Sequence, residues 1–387
     1  MTPAARYASA IAVLDDVLAG ASAEKCLTSW ARANRYAGSK DRAAVRDHVF
    51  DVLRRKRSLA ALGGGMSGRS LVLGLIRHQG IDHNDVFGAG GYAPHALSDD
   101  ELSAGCSPQS EAELHDLPDW LWPIWEEDLG LAAAAAARAL QDRGPVTLRV
   151  NLRRGSRENA IAMLAEDGIV ARVMDDVKTG LQVVENERRI HLNRAYLEGY
   201  VDLQDLASQE AVAGLEIADA ASVLDYCAGG GGKALALADQ FRCTVSAHDI
   251  AVARMVDIPA RADRAGVTIA VLETAELTQR TFDVVFVDAP CSGSGTWRRA
   301  PEAKWAISSE KLHGYSTLQL EVLSKAAELV AEGGQLIYAT CSVLNKENGA
   351  VLAAFLAANS SFVKVRDAQR LPDALGDGFF HAVLRRR

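Results

Sequence analysis

From about residue 206 onward, short apolar runs alternate with helical patterns in an order that few folds accept. Ser222 to Leu224, Thr244 to Ala247, Val267 to Leu272, Val284 to Val287 and Leu336 to Ala339 read as strands alternating with helical patterns, the first leading into a Gly-rich loop and a helix. Strands joined through helices must lie parallel, so a doubly wound α/β sheet is expected. Phe362 to Val365 and Phe379 to Leu384 read as a closing pair of strands. In such sheets ligands bind outside the carboxyl ends of the strands, and that is where the chemistry should be sought.

A chain of 387 residues is too long for one comfortable core. Residues 1–115 read as all-helical: Ile11, Leu14 and Leu18 share one helical face, and Val45, Val49, Val52 and Leu53 recur at helical spacing behind Ser39 as a cap. Residues 116–205 read as a small α/β segment with a strand at Val146 to Val150, a helix at Arg157 to Glu166 and alternation at Leu181 to Val184. Trp122 and Trp125, on the first turns of a helix after Pro118, are expected to pack rather than to stack on bases. Gly80 to Asp116 has the Gly, Ser, Asp and His content of a long surface connection. Residues 206–387 form the sheet domain.

The net charge of −8 argues against indiscriminate binding of polyanions. The charge is regional, however: Arg32 to Arg57 holds nine Lys and Arg against three Asp, an excess of six, and ends in Arg54-Arg55-Lys56-Arg57. This run reads equally as the basic last turn of a helix or as an RNA-facing patch. The first twenty residues carry Arg6, Asp15 and Asp16 and no long apolar core, so no leader is expected. No run is long enough to span a bilayer, and a cytoplasmic protein follows, expected to act as a monomer. Six cysteines without a Cys-x-x-Cys pair or a nearby histidine exclude a structural zinc site, and no metal is expected. Cys26, Cys106 and Cys243 read as small buried hydrophobes, Cys243 within a strand.

The loop after the first strand of the sheet domain is Asp225-Tyr226-Cys227-Ala228-Gly229-Gly230-Gly231-Gly232-Lys233. Glycines there let the backbone approach a ligand. A phosphate-binding P-loop is excluded, because position 234 is Ala and offers no hydroxyl to magnesium. A dinucleotide pattern does fit, since Gly229-Gly230-Gly231-Gly232-Lys233-Ala234 satisfies Gly-x-Gly-x-x-Ala and Asp249 stands where an acid would hold ribose hydroxyls. The ribose of S-adenosylmethionine would suit the same acid equally well.

Two Cys-Ser dipeptides at strand ends separate these readings. Cys291 lies in Asp288-Ala289-Pro290-Cys291-Ser292-Gly293 and Cys341 in Thr340-Cys341-Ser342, so both thiols should face one crevice. Hydride transfer has no use for them. Methylation of a pyrimidine at carbon 5 does: a thiolate must add to carbon 6 to make carbon 5 nucleophilic, and a second polar group is useful when the thiol leaves. A thiol of ordinary pKa, about 8.5, needs nearby positive charge, for which Lys233 is the candidate. Asp288 could hydrogen-bond the cytosine ring or its amine.

The glycine loop ending in Gly231-Gly232-Lys233, the run Asp288 to Gly295 with Arg298-Arg299 and Pro301 to Trp305, and Thr340-Cys341-Ser342 resemble the Nol–Nop–Sun RNA cytosine-5 methyltransferases. Gln204 to Gln209 resembles the segment that introduces their catalytic domain. Pro118 to Gln204 is similar to the family's small RNA-binding segment, and residues 1–115 more loosely resemble the NusB-like domain of its bacterial ribosomal RNA branch. The resemblance implies a Rossmann-like class I methyltransferase domain that uses S-adenosylmethionine to methylate carbon 5 of a cytosine in RNA, small-subunit ribosomal RNA or transfer RNA. It implies Cys341 as nucleophile and Cys291 as the residue that aids release. It places the cofactor along Cys227, Ala228, Gly229, Gly230, Gly231, Gly232 and Lys233, with Asp249 on the ribose and Asp288 near methyl group and base.

Two departures stand out. The family loop usually reads Cys-Ala-Ala-Pro-Gly-Gly-Lys-Thr, whereas this chain has Gly229-Gly230 for Ala-Pro and Ala234 for Thr. Losing the proline makes the loop more flexible, at an ordering cost of about 1 kcal/mol. The acid expected beside adenine falls at Glu273 or Thr274. RNA phosphates would be met by Arg298, Arg299 and Lys304. A nicotinamide-dependent oxidoreductase and an inactive RNA-binding protein on the same fold are the competing readings.

Overall fold

The computed structural model describes residues 1–387. It divides into two compact units, one formed by Met1–Arg143 with Trp297–Ile307, the other by Gly144–Thr296 with Ser308–Arg387.

The first unit contains helices and no strand, the longest being Pro3–Leu18, Ala23–Ala33, Ser39–Arg54 and Gly68–Gln79. Leu14, Val45, Val49, Val52, Leu59, Leu71 and Ile76 are fully buried in its core. Ser39 is the first residue of its helix; Gly38 takes the cap position, and its N–H donates to Asp41 at 3.2 Å. The stretch 80–116 holds short helices, and its last residue, Asp116, is buried and accepts from the Ser58 N–H and hydroxyl.

The basic run Arg54 to Arg57 is an internal tie within this unit, not a free patch. The Arg54 Nε donates to the Arg298 carbonyl at 2.8 Å, Arg55 pairs with Asp142 at 2.6 Å, and Arg57 pairs with Asp119 at 2.6 Å. Lys56 lies 4.3 Å above the Trp305 ring. These cations serve carbonyls and carboxylates of the same unit, which is why a charge count misreads them. Trp125 is buried as expected and stacks on Trp297 at 6.2 Å.

The second unit has two sheets. The smaller consists of β1 (Val146–Val150), β2 (Val170–Val173), β3 (Gly180–Glu185) and β4 (Val201–Leu203), antiparallel in the order β2-β3-β1-β4. Helix Arg157–Ala165 supplies Leu164 to the core of Leu148, Val150 and Leu181.

The larger sheet comprises β5 (Ser222–Asp225), β6 (Thr244–Ala247), β7 (Ile269–Val271), β8 (Phe282–Asp288), β9 (Val330–Thr340), β10 (Phe362–Arg370) and β11 (Phe379–Arg386). Its order is β10-β11-β9-β8-β5-β6-β7. Strands β5 to β9 pair in parallel, and β11 runs antiparallel to both of its neighbours. Both faces are covered: Val284 and Phe286 of β8 pack with helices Leu206–Ala213 and Gly232–Gln240, Val285 and Val287 with Ser309–Glu328 and Gly349–Ala358. A strand buried on both faces must be apolar at every position, hence the unbroken Val-Val-Phe-Val run. The chain passes from β5 to β6 on one side and from β8 to β9 on the other. The crevice at this reversal opens at the ends of β5 and β8.

No single helix is long and apolar enough to cross a membrane. Cys26 and Cys243 are half-buried against apolar cores, Cys243 one residue before β6 rather than inside it. Cys106 is exposed, contrary to expectation, because it lies in the irregular stretch between two short helices.

Candidate active site

Both strands at the reversal end in aspartate, Asp225 on β5 and Asp288 on β8. Lys233 stands between them, in the first turn of helix Gly232–Gln240, and its ammonium bonds Asp288 at 2.6 Å. Burial opposes the charge on Lys233, but Asp288, Asp225 and the Cys341 sulfur outweigh it and raise its pKa. The Asp225 carboxyl is fully buried, with no hydrogen-bond partner of good geometry for either oxygen. Burial pushes it up to about 7; the Lys233 ammonium pulls it down, and Asp288 and Asp249 add to the rise.

The two thiols do meet. Cys291 and Cys341 are half-buried, free, and 3.1 Å apart at sulfur. They are not equivalent. The hydrogen bond with the Cys341 sulfur, burial, and the negative charge of Cys341, Glu347 and Asp288 push the Cys291 thiol well above its ordinary range. The Lys233 ammonium lies within electrostatic reach of the Cys341 sulfur.

What fixes the thiols is a residue that the motifs did not single out. Glu347, fully buried, accepts from the Ser292 N–H at 2.7 Å, the Ser292 hydroxyl at 2.5 Å, the Ser342 hydroxyl, and the Gln319 amide at 3.1 Å. Each serine follows one of the cysteines. The loops are joined further by Ser294 and Ser342, whose hydroxyls lie 2.8 Å apart, and by the Gly295 N–H on the Cys341 carbonyl at 2.9 Å. Asn348 accepts from the Thr340 hydroxyl at 2.6 Å and donates to the Ser342 carbonyl at 3.0 Å. A buried carboxylate that satisfies four donors on three segments is a rigid clamp.

The glycine loop adopts the turn its composition allows. Gly229 and Gly231 have φ of +52° and +81°, a region that side chains resist, and a Cβ on Gly231 would lie 2.8 Å from Ile258. A Cβ on Gly232 would meet nothing within 4 Å, so there is open space beside the helix start. Cys227 is half-buried, and burial followed by the charges of Asp225, Asp288 and Asp249 keeps it a thiol. Asp249 is buried and turned toward the loop: it accepts from the Gly229 N–H at 2.9 Å, the Ala251 N–H at 2.9 Å and Arg254 at 2.9 Å. Open backbone, a positive-φ cradle and an acid at its rim fit the adenosyl and ribose parts of S-adenosylmethionine. His248 stacks on Tyr226 at 4.8 Å, and its ring nitrogens lie 2.9 Å from the Tyr226 carbonyl and 3.0 Å from the Thr274 hydroxyl. Thr274 is thus engaged with His248, and Glu273 is exposed.

Two of the three expected RNA contacts are corrected. Arg298 and Lys304 are buried in the helical unit, 2% and 1% exposed, and the Lys304 ammonium donates to the Arg54 carbonyl at 2.9 Å. Burial lowers the Lys304 pKa to about 8, with Asp116 opposing the fall. Neither side chain presents its charge to a phosphate. Arg299 is exposed.

Residues 212–384 match the model of the 16S rRNA methyltransferase RsmB/F family, and residues 117–189 match the ferredoxin-like domain model of RsmF/B-like methyltransferases. The chain is 31% identical over 300 residues to ribosomal RNA small subunit methyltransferase B of Escherichia coli, covering 74% of this chain and 69% of that protein. The Proteus mirabilis protein of the same name is 32% identical over 252 residues, covering 63% of this chain and 59% of that one. In fold, the crystal structure of PH0851 superposes with a TM-score of 0.78 at 22% identity over 99% of both chains. A methyltransferase homologue from Pyrococcus horikoshii gives 0.62 at 22% identity, over 71% of this chain and 97% of that one.

Proposed function

The chain belongs to the RsmB/F family of RNA cytosine-5 methyltransferases, and we propose that it methylates carbon 5 of a cytosine in small-subunit ribosomal RNA, with Cys341 as nucleophile. Membership makes it an enzyme that uses S-adenosylmethionine, which removes the nicotinamide reading of the glycine loop. The choice of RNA follows the names its relatives carry. A cytoplasmic monomer is the simplest form for this activity.

Cys227, Ala228 and the glycines 229–232 would hold the cofactor, with Asp249 on the ribose hydroxyls and Asp288 near the base. When bound, S-adenosylmethionine supplies an electrophilic methyl group. Cys341 adds to carbon 6 of the unstacked cytosine, and the electron pair of the 5,6 double bond is displaced toward carbon 5, which becomes nucleophilic; Asp288 would accept a hydrogen bond from the exocyclic amine of the base. Lys233 places its positive charge within electrostatic reach of the Cys341 sulfur. After methylation, carbon 5 loses its proton to a base; that electron pair re-forms the double bond, and the carbon–sulfur pair returns to Cys341. Cys291, held protonated, donates its S–H to the departing sulfur 3.1 Å away and so eases the release.

The observation that carries this division of labour is the unequal surroundings of the two thiols: Lys233 acts on Cys341, whereas Glu347 and Asp288 burden Cys291. The test incubates Cys341→Ala and Cys291→Ala with RNA and S-adenosylmethionine. Cys341→Ala should form no covalent adduct. Cys291→Ala should accumulate a protein–RNA complex that survives denaturant. The reverse pattern would exchange the roles, and no adduct from either variant would defeat the covalent mechanism.

A further inference from the structure

The glycine loop is braced from outside. Arg261, on helix Ile258–Ala265, donates one guanidinium nitrogen to the Gly230 carbonyl and the other to Asp202 at 2.6 Å. Asp202 belongs to β4, and Arg264 at 3.5 Å and Arg149 at 4.0 Å flank the same carboxylate. Arg149 also pairs with Asp239, on the helix that follows the loop, and both partners are almost wholly buried. Gln204, just past β4, donates to the Gly232 carbonyl at 3.2 Å. The small sheet therefore reaches the loop at two carbonyls, once through Arg261 and once through Gln204.

Four successive glycines have more conformational freedom to lose than any other run, and a loop ordered only by its ligand would subtract that loss from affinity. Proline, the residue the family loop carries at position 230, would restrict it covalently. Neither a positive φ nor a backbone bond donated by its N–H forbids a proline at position 230. Here an ion-paired arginine stands on the carbonyl of that same residue.

We propose that Arg261, anchored by Asp202, is a positioning residue for the cofactor: it holds the Gly230 carbonyl and keeps the tetraglycine turn in its receiving shape before S-adenosylmethionine arrives. This rests on the reading that residues 227–233 hold the cofactor. It gives the small sheet a second role beside RNA, as a support for the methyl-donor site.

The test is calorimetric binding of S-adenosylmethionine to the full chain, with turnover measured in parallel. Arg261→Ala should weaken binding about fivefold and raise the KM for S-adenosylmethionine alike, with kcat at saturation unchanged. Arg261→Gln, which keeps the stem and one donor, should fall between and guards against a folding defect. Asp202→Ala added to Arg261→Ala should cost no further S-adenosylmethionine affinity, since the bridge to Gly230 is already gone, whereas stability should fall because Arg149 and Arg264 lose a counter-charge. Gly230→Pro in the Arg261→Ala background should restore most of the affinity, an outcome that a merely structural role would not give. Asp249→Ala is the control. If it weakens binding while Arg261→Ala does not, the brace is wrong and the loop reading stands; if neither weakens binding, the loop reading itself fails. A fall in kcat and stability that Gly230→Pro leaves unrepaired would also overturn the proposal.

Discussion

The Ser292 hydroxyl meets the Glu347 carboxylate at 2.5 Å, and through that contact the loop after β8 is locked to the loop after β9. The repeated Cys-Ser pair thereby has a physical division: the sulfurs face each other, and the serines hold the loops in place. A pair of reacting groups held this closely gains rate from geometry alone, and small displacements are costly.

Glu347→Ala would leave the Ser292 N–H and hydroxyl, the Ser342 hydroxyl and the Gln319 amide without their acceptor. Buried donors left unpaired in this way should lower stability by about 3–5 kcal/mol, read from urea unfolding. Glu347→Gln keeps the shape and should stay folded, with single-turnover methylation about tenfold slower. Wild-type rates in the Gln variant would show that the clamp does not set thiol geometry.

Stability should depend on pH through Asp225. Burial pushes its carboxyl up to about 7, whereas an unfolded aspartate ionises near ~3.9. Between those values the folded chain keeps a proton that the unfolded chain has lost, so this contribution falls as pH rises from about 4 to about 7 and is level above. Asp225→Asn is neutral throughout. From pH 5 to pH 7.5 the wild type should lose about 2.5 kcal/mol relative to the variant in urea unfolding. A constant difference would mean that the carboxyl is already ionised at pH 5.

Lys304 should matter to folding and not to RNA. Lys304→Met removes the bond to the Arg54 carbonyl and a cation near Asp116, and should lower the melting temperature by about 2–6 °C. The KM for RNA should stay within about twofold. Arg299→Ala, at an exposed position, is expected to do the opposite: little change in melting, weaker RNA binding, and a salt slope reduced by about one. A tenfold rise in RNA KM for Lys304→Met would restore it as a contact.

The strands were legible because each announces itself locally: Thr244-Val245-Ser246-Ala247 alternates polar with apolar residues, Val284 to Val287 is apolar throughout, and the observed strands β6 and β8 contain them. The cysteines and the glycine loop were legible through their positions at strand ends. Glu347 was not, because its meaning depends on Ser292, 55 residues away, and nothing in Asn345-Lys346-Glu347 signals a buried carboxylate. Asp225 does carry a sequence signal: it ends its strand as Asp288 does, ahead of a glycine loop. Arg298 and Lys304 were misread for the same reason as the Arg54 to Arg57 run. Charge in sequence looks like surface until its partner is known, and the partner of Lys304 lies 250 residues earlier.

That separation sets a timetable for synthesis. Most of the helical unit is translated before the sheets, yet Trp297, Arg298 and Lys304 belong to its interior, so residues 1–143 wait for roughly 150 further residues before their core is complete. Until then the face of Trp125 that stacks on Trp297 has no native cover within its own unit. The segment made before the sheets is thus finished after much of them, and the interval is when a growing chain has most need of a chaperone.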